Sequence, residues 1–344
     1  MKVLWVAPWG RPLASVYAAA LRAQGHEVLV VTSGRHYEQA PPGAPAVVEV
    51  AGSLKQPRAW GSVARAVRAA RALRPDVVVT EELTDARLYP LLLLAPVAVL
   101  VHDDAPHDET EVPPLQHRVV ARRTAARADL RVTYSAAVAG LLGAGAPVVT
   151  VPLPSEAPAA LVGDVVPAAG RRDVVVLGRI NPYKDVPTTL AAWAQHVAGP
   201  GYRGDELVVV GDGNEAELTL PPHCTWRRER FQFADVVPLV ARAKAVVVHY
   251  RSASQSGVQV TAMQCGTAAV VSDAGGLAEY LPPGQHPVPV GDVAGLARAL
   301  DALADPEVAA AAGAASRAHH DRRFTPAVAA RALVDALAAV ARVG

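Results

Sequence analysis

Short runs of valine-rich hydrophobic residues alternate with longer alanine-rich stretches along most of the chain. The first run, VLWVA at 3–7, is apolar at every position, as in strands that are buried on both faces of a parallel sheet. The stretch that follows, 13–24, is compatible with a helix and ends beside Gly25, a residue type that commonly terminates helices. Strands that alternate with helices in this way predict an α/β fold with a doubly wound parallel sheet.

The alternation occurs twice, which predicts two Rossmann-like domains that face each other across a cleft. In the first half, further strands and helices are expected at 27–32, 58–74, 76–80, 97–102, 116–128 and 130–134. In the second half, they are expected at 173–178, 187–198, 206–211, 245–249, 258–265, 268–272, 293–303 and 326–343. A proline- and alanine-rich connection separates the halves. The predicted parts are an N-terminal domain 1–152, a linker 153–171, a C-terminal domain 172–325 and a final helix within 326–344.

Composition narrows the functional classes. The chain has 344 residues, of which 51% are hydrophobic and 19% charged, enough apolar material for two buried cores. A formal net charge of +1 gives no basic field that would indicate nucleic-acid binding. The two cysteines, Cys224 and Cys265, are too few for a disulfide framework and fit a cytoplasmic location. The longest apolar run, 89–101, is too short for a membrane span and is predicted to be a buried helix end plus a buried strand, so at most peripheral membrane contact is expected.

The segment LGRINPYKDVPTTL has the composition of a phosphate-binding loop. A strand is expected to end at Gly178, and Arg179 and Lys184 follow before a helix whose first turn holds Pro187. An arginine fork can bind two phosphate oxygens and a lysine adds a compact charge, beside the N–H groups of a helix N-terminus. The segment therefore favours a diphosphate site, with an ordinary surface loop as the alternative.

A second polar cluster, VHDDAPHDE at 101–109, follows a predicted strand. His102 at the strand end is a candidate for bonding a substrate hydroxyl, and a core histidine bonded to the backbone is the alternative. His102, His107 and the aspartates are also metal-ligand types, but their spacing matches no recognised zinc motif, so no metal site is expected.

Two glycine-containing turns are expected at strand ends of the second half. Gly211 and Gly213 form a Gly-x-Gly without the third glycine of the dinucleotide fingerprint, which disfavours a nicotinamide or flavin cofactor. Gly275 and Gly276 precede a short helix that contains Glu279, where backbone N–H groups can approach an anion or a sugar. A simple loop is the alternative for the second turn.

Taken in order, these segments resemble the large retaining glycosyltransferase family of GT-B architecture, known as glycosyltransferase group 1 or family 4-like. Segment 174–194 is similar to its Gly-Arg…Lys-Gly donor-phosphate loop, 207–218 to its Gly-x-Gly turn, and 260–281 to its Glu-Ala-Met-Ala-Cys-Gly…Gly-Gly-x-x-Glu signature. Segment 101–109 is similar to the histidine-containing loop of its N-terminal domain. The resemblance implies two Rossmann-like domains, a nucleoside diphosphate sugar as co-substrate held mainly by the C-terminal domain, an acceptor held by the N-terminal domain, and no other cofactor.

The resemblance also implies roles for individual residues. Arg179 and Lys184 would hold the diphosphate, and His102 would lie beside the donor sugar. Backbone N–H groups of Ser256 and Gly257 would meet a phosphate at a helix N-terminus. The other implied donor-pocket residues are Gly178, Gly211, Gly213, Ser254, Gln255, Val258, Thr261, Gly275, Gly276 and Glu279.

One departure from the family pattern concerns its two glutamates, spaced Glu-x7-Glu. Ala253 and Thr261 stand at these positions, so both carboxylates are absent. The segment 252–257, Ser-Ala-Ser-Gln-Ser-Gly, resembles the form found in a subset of the family that is linked to surface polysaccharides. On that resemblance, Ser254 or Gln255 would contact the sugar, and Thr261 or a nearby residue the ribose.

The sequence therefore predicts a metal-independent, retaining glycosyltransferase of hexosyl type with a polysaccharide, glycolipid or small natural product as hydroxyl acceptor. A sugar-nucleotide-binding protein without transfer activity is one alternative, suggested by the missing glutamates. A sugar-nucleotide epimerase of the same fold is another, although it would need carboxylates that this segment lacks. The arginines of 118–131 are interpreted as a solvated helix face, with contact to an anionic lipid-linked acceptor as the alternative.

Overall fold

The computed structural model describes residues 1–8, 11–33, 47–50, 57–81, 83, 85–102, 115–213 and 218–341. The described residues fall into two units, each with its own parallel sheet. The first unit takes its residues from 1–106, 110–156 and 325–344, and the second from 157–324. Among the described residues, none of the helices combines the length and the hydropathy needed to cross a bilayer.

The described part of the first unit contains a sheet of seven parallel strands. They are β1 Lys2–Ala7, β2 Glu27–Ser33, β3 Val47–Val50, β4 Val77–Thr80, β5 Val97–Val101, β6 Leu130–Thr133 and β7 Val148–Thr150. Their order across the sheet is β3-β2-β1-β4-β5-β6-β7. All side chains of the run 3–7 are buried, because helices cover the sheet on both sides.

Helices of the first unit occupy the connections between these strands. They are α1 Arg11–Ala23, α2 Pro57–Leu73, a 3₁₀ helix Ala86–Leu93, α3 Leu115–Arg127 and α4 Ala136–Leu141. The helix α2, the 3₁₀ helix and α3 all pack against one hydrophobic cluster, which includes Leu4, Val78 and Val97 of the sheet. The apolar run 89–101 thus contains the predicted buried strand, preceded by a 3₁₀ helix around Pro90, whose nitrogen cannot donate a hydrogen bond.

Within 157–213 and 218–324, the second unit contains five parallel strands and five α-helices. The strands are β8 Val174–Leu177, β9 Leu207–Val210, β10 Cys224–Arg227, β11 Ala245–Val248 and β12 Ala268–Val271, in the order β10-β9-β8-β11-β12. The helices are α5 Val186–Ala198, α6 Phe233–Arg242, α7 Gly257–Gln264, α8 Val293–Leu303 and α9 Pro306–Arg323. The strand order reverses between β8 and β11, and ligands of open α/β sheets bind at the carboxyl ends of strands beside such a reversal.

The last helix, α10 Pro326–Ala338, belongs to the first unit. The side-chain amide of Gln24 at the end of α1 donates a hydrogen bond of 2.8 Å to the carbonyl of Ala327. The helix ends at Ala338, before the end of the predicted 326–343, and the chain continues in a turn in which the N–H of Ala341 donates to the carbonyl of Leu337 at 2.9 Å.

Six elements were not predicted from the sequence, namely β3, β7, β10, α4, α6 and α9. The three strands lie at sheet edges, where only part of each strand is buried and the continuous apolar run is lost. Helix α9 escaped prediction because its alanines and polar residues are spread around the helix without an apolar stripe. The strands and helices that the sequence did predict agree with the structure to within a few residues.

Candidate functional site

Polar residues of the second unit converge at the carboxyl ends of β8 and β11. The loop after β8 contains Gly178, Arg179 and the short 3₁₀ helix Pro182–Lys184, which leads into α5. The loop after β11 runs from His249 to Ser256 and leads into α7. A backbone hydrogen bond of 2.8 Å from Arg251 N–H to the Tyr183 carbonyl joins the two loops. The predicted phosphate-binding loop therefore lies at the reversal of the strand order.

Lys184 is a buried cation, with 6% of its side chain exposed. It forms no ion pair with a carboxylate of the described residues. Its ammonium donates to the hydroxyl of Tyr250 at 2.7 Å and to the carbonyl of Leu177 at 3.3 Å, and lies 4.3 Å from the centre of the Tyr250 ring. Burial lowers the pKa of Lys184, Tyr183 opposes this effect, and the positive charge of Arg179 lowers the pKa further. A buried charge held only by neutral groups favours the binding of an anion.

Gly178 allows the Lys184 ammonium to approach the backbone. Its φ is +117°, and a Cβ at this position would lie 2.8 Å from the ammonium nitrogen and 3.7 Å from a methyl group of Val258. The absence of a side chain at Gly178 thus leaves Lys184 and the start of α7 close to the same point. Arg179, the next residue, is exposed and has no ion pair with a described carboxylate. The loop therefore holds one buried and one exposed cation near each other.

The N-terminus of α7 lies beside these cations. The hydroxyl of Ser256 caps the helix by accepting a hydrogen bond of 3.3 Å from the N–H of Gln259. Gly257 is the first residue of the helix, and a Cβ there would meet no atom within 4 Å, so its backbone is open to approach. The positive end of the helix dipole adds to the field of Lys184 and Arg179.

Tyr250 is a site residue that the sequence reasoning did not single out. Its phenol oxygen accepts the hydrogen bond of Lys184, which lies on the loop after β8. The hydroxyl of Ser272 holds the Tyr250 backbone: it donates to the Tyr250 carbonyl at 2.7 Å and accepts from the Tyr250 N–H at 3.1 Å. Burial raises the pKa of Tyr250, and a hydrogen bond with Ser256 partly opposes this. The sequence feature that could have identified Tyr250 is its position shortly after a buried strand in the second half of the chain.

Tyr250→Phe is expected to move the alkaline decline of kcat/KM to lower pH. The hydrogen bond from Lys184 to the phenol stabilises the charged lysine, and bonds to charged groups contribute about 1.5–3 kcal/mol. Its loss lowers the Lys184 pKa below its already lowered value, so the ammonium is lost at lower pH. Initial rates between neutral and alkaline pH measure the shift. Tyr202→Phe, which removes a phenol bonded at 3.1 Å to the Asp205 carbonyl, is the control and should leave the profile unchanged. Equal profiles for wild type and Tyr250→Phe would contradict the assignment.

The residues predicted to contact sugar and ribose lie on α7, on the loop before it and on the turn after β12. Ser254 and Thr261 are buried, and Gln255 has a buried side-chain oxygen without a hydrogen-bond partner among the described residues. Glu279 is exposed on a 3₁₀ helix, Leu277–Tyr280, for which Gly276 is the N-cap residue. Ala253 and Thr261, which stand at the positions of the two missing glutamates, are both buried.

The three remaining glycines support the loops by close backbone packing. A Cβ at Gly211 would overlap the carbonyl of Gly178, and one at Gly213 would overlap the backbone of Ile180. Gly275 has a φ of +51°, and a Cβ there would overlap the carbonyl oxygen of Ala253. Contact between these glycines and a donor stays a prediction.

His102 lies in the first unit, directly after β5. Its ring is half-buried and its centre is 5.3 Å from that of the Tyr134 ring. The predicted loop residues Asp103, Asp104 and His107 lie outside the described residues, and so does the metal interpretation of 101–109. Within the described ranges, no group of three or more histidine, cysteine or acidic side chains has the arrangement of a metal site. The structure thus brings the predicted site residues of the second unit to the carboxyl ends of its strands. The role of His102 beside a donor sugar stays a prediction.

Two family models match most of the chain. Residues 13–154 match a model described as a glycosyl transferase 4-like domain, and residues 171–305 match one described as glycosyl transferases group 1. The two Rossmann-like units and these matches define a glycosyltransferase of GT-B fold. The chain belongs to the glycosyltransferase family in which a 4-like domain precedes a group 1 domain.

Solved structures of GT-B enzymes share the fold along the whole chain. Sucrose-phosphate synthase from Thermosynechococcus elongatus is 17% identical, with a TM-score of 0.72 over 98% of this chain and 99% of that one. HepE from Anabaena, crystallised with UDP and glucose, is 17% identical, with a TM-score of 0.68 over 99% and 100% of the two chains. A UDP-forming α,α-trehalose-phosphate synthase from Burkholderia vietnamiensis is 14% identical, with a TM-score of 0.64 over 99% and 100%. No curated protein matches the sequence at a significant level.

Proposed function

We propose that this glycosyltransferase moves a sugar from a nucleoside diphosphate sugar to a hydroxyl acceptor, without a metal ion and with retention of anomeric configuration. The donor diphosphate binds at the carboxyl ends of β8 and β11, between the phosphate loop and the N-terminus of α7. The observation that carries the proposal is Lys184, a buried ammonium held by Tyr250 and a backbone carbonyl and without a described carboxylate partner. A diphosphate supplies the negative charge that this ammonium lacks.

In the proposed reaction, the acceptor hydroxyl oxygen forms the new bond to the anomeric carbon on the face from which the diphosphate leaves. The bond between the anomeric carbon and the phosphate oxygen breaks, and its electron pair stays on the diphosphate. The hydroxyl proton passes to the departing phosphate oxygen. Lys184, Arg179 and the α7 N-terminus stabilise the charge that develops on these oxygens, so neither a protein nucleophile nor a metal is required.

Contacts to the sugar and the ribose are assigned mainly to uncharged groups, with Glu279 as the one carboxylate. The buried, unbonded amide oxygen of Gln255 can accept a hydrogen bond from a sugar hydroxyl, and Ser254 lies next to it. Thr261 on α7 takes the position of the family's ribose-binding glutamate, and Glu279 supplies a carboxylate from the turn after β12. The structures of HepE with UDP and with glucose support a uridine diphosphate sugar as the first donor to test.

A thermal-shift screen in EDTA tests donor binding. Nucleoside diphosphates of the different bases and their sugars are added singly, and a ligand that binds only the folded protein raises the melting temperature by mass action. At least one nucleoside diphosphate is expected to raise it, and the nucleoside of the same base is expected to have little effect. A flat response across the panel, or one that depends on added divalent metal, would contradict the proposal.

A sugar-nucleotide-binding protein without transfer activity is the second candidate. Alanine at position 253 and threonine at position 261 favour it, because neither side chain supplies the carboxylates that the family uses for the donor sugar and the nucleotide ribose. Such a protein would show the same thermal shift with an intact donor, but it would release no nucleoside diphosphate when acceptors are added.

A further inference from the structure

The outer surface of the first unit carries arginines that pair with none of the described carboxylates. Every ionisable residue of α2 is an arginine, and α3 adds His117 and four more arginines, so neither helix contains Asp or Glu. Six of these arginines have side chains that the structure describes as exposed, namely Arg65, Arg68, Arg71, Arg118, Arg122 and Arg123. None of these six forms an ion pair with a described carboxylate, whereas Arg127 pairs with Asp129 at 2.8 Å. The chain as a whole has a formal charge of +1, so this charge is concentrated locally.

Large hydrophobic side chains are exposed on the same helices and on the 3₁₀ helix between them. Leu115 is 73% exposed, Leu93 63%, Trp60 59% and Val119 43%. A single exposed hydrophobic residue is ordinary, whereas several on elements that pack on the same hydrophobic cluster indicate an interaction site.

The spacing along each helix brings apolar and basic side chains to one face. On α3, Leu115 and Val119 are four residues apart, as are Arg118 and Arg122, and the two pairs form adjoining stripes. On α2, Trp60, Arg68 and Arg71 lie on one exposed side of the helix, away from the buried Ala66 and Ala70. The opposite sides of both helices and of the 3₁₀ helix pack on one hydrophobic cluster, so their outer faces point away from the same core. We call the outer face, with the six arginines and four hydrophobic residues named above, the cationic surface.

We propose that the cationic surface docks on an anionic phospholipid bilayer. Arginines at such a surface bind headgroup phosphates, while tryptophan and leucine side chains enter the boundary between headgroups and acyl chains. Each arginine near an anionic bilayer surface typically strengthens binding about fivefold, and several together hold a protein reversibly. A nucleic acid would satisfy the charges but offers no apolar layer for Leu93, Leu115 and Val119. The interaction goes beyond the proposed transfer reaction, because none of the donor-site residues takes part in it.

Vesicle sedimentation with the full chain tests this docking. Phosphatidylcholine vesicles are compared with vesicles that also contain phosphatidylglycerol, at low salt. The protein is expected to sediment with the anionic vesicles and to stay in solution with the neutral ones. Raising the salt from about 0.1 M to about 1 M shortens the Debye length from about 10 Å to about 3 Å and should release most of it. The emission of exposed Trp60 should shift to shorter wavelength on the anionic vesicles, which Trp60→Phe removes.

A matched pair of double variants locates the surface. Arg68→Gln with Arg122→Gln is expected to weaken vesicle binding about 25-fold. Arg298→Gln with Arg331→Gln removes the same charge from exposed positions on α8 and α10 and should leave binding within a factor of about two. Both double variants should keep the melting temperature of the wild-type protein and the rise of that temperature with a nucleoside diphosphate. The vesicle result is therefore independent of the test of the proposed function. Equal binding to neutral and anionic vesicles, equal losses in the two double variants, or binding to heparin without binding to vesicles would overturn the proposal.

Discussion

Lys184→Ala is expected to lower turnover about 100- to 1,000-fold, which corresponds to about 2.7–4 kcal/mol of lost transition-state stabilisation. The reason is that the ammonium is buried and fixed by Tyr250, and in the proposed reaction it stabilises the charge that develops on the departing diphosphate. Steady-state rates at saturating donor measure the effect. The melting temperature should not fall in proportion, because the substitution also removes a buried charge that has no described ionic partner.

Asp212→Ala is the matched comparison for this variant. Asp212 also follows a strand end of the second unit, but its side chain is half exposed and its nearest described cation is Arg228, at 4.0 Å. Its removal should change turnover far less than Lys184→Ala does. Comparable activity of wild type and both variants would rule out the phosphate role of Lys184.

Gly275→Ala is expected to abolish the donor-induced thermal shift and to lower the melting temperature. A Cβ at this position overlaps the carbonyl oxygen of Ala253, a backbone atom that moves only if the loop after β11 moves. Overpacking of this kind costs about 1–3 kcal/mol, and left-handed backbone adds about 1–2 kcal/mol for alanine. The displaced loop carries Gln255 and Tyr250, so donor binding should be lost together with stability.

Gly284→Ala separates the steric effect from the backbone effect. Gly284 has a φ of +85°, but a Cβ there meets no atom within 4 Å. This variant should share the cost of the left-handed backbone and still respond to the donor. If both variants lose the donor response equally, or if Gly275→Ala keeps it, the packing of Gly275 on Ala253 is not what shapes the site.

The central strands and the position of Arg179 and Lys184 directly after β8 could be predicted from sequence because each has a local cause. A buried parallel strand must be apolar on both faces, and β8, β9 and β11 show this in four consecutive residues. Gly178, Arg179 and Lys184 follow such a strand within seven residues, so their grouping needs no knowledge of the tertiary structure.

The contacts that complete the site depend on tertiary structure and could not be predicted in the same way. Tyr250 is 66 residues from Lys184, and only the reversal of strand order places its phenol on the ammonium. The packing of Gly275 on Ala253 and of Gly211 on Gly178 likewise joins loops from different strands. A glycine in the sequence indicates conformational freedom but does not tell which backbone atom approaches it.

The most direct test of the proposed function is product release from the donor identified by thermal shift. The protein is mixed in EDTA with that nucleoside diphosphate sugar and a panel of hydroxyl acceptors, and the released nucleoside diphosphate and the anomeric proton of the product are followed by NMR. We expect release that depends on an acceptor, a product with the anomeric configuration of the donor, and near-complete loss of both in Lys184→Ala. A donor that binds to the wild-type protein but stays intact across the whole panel would contradict transfer, and a product of inverted configuration would contradict retention.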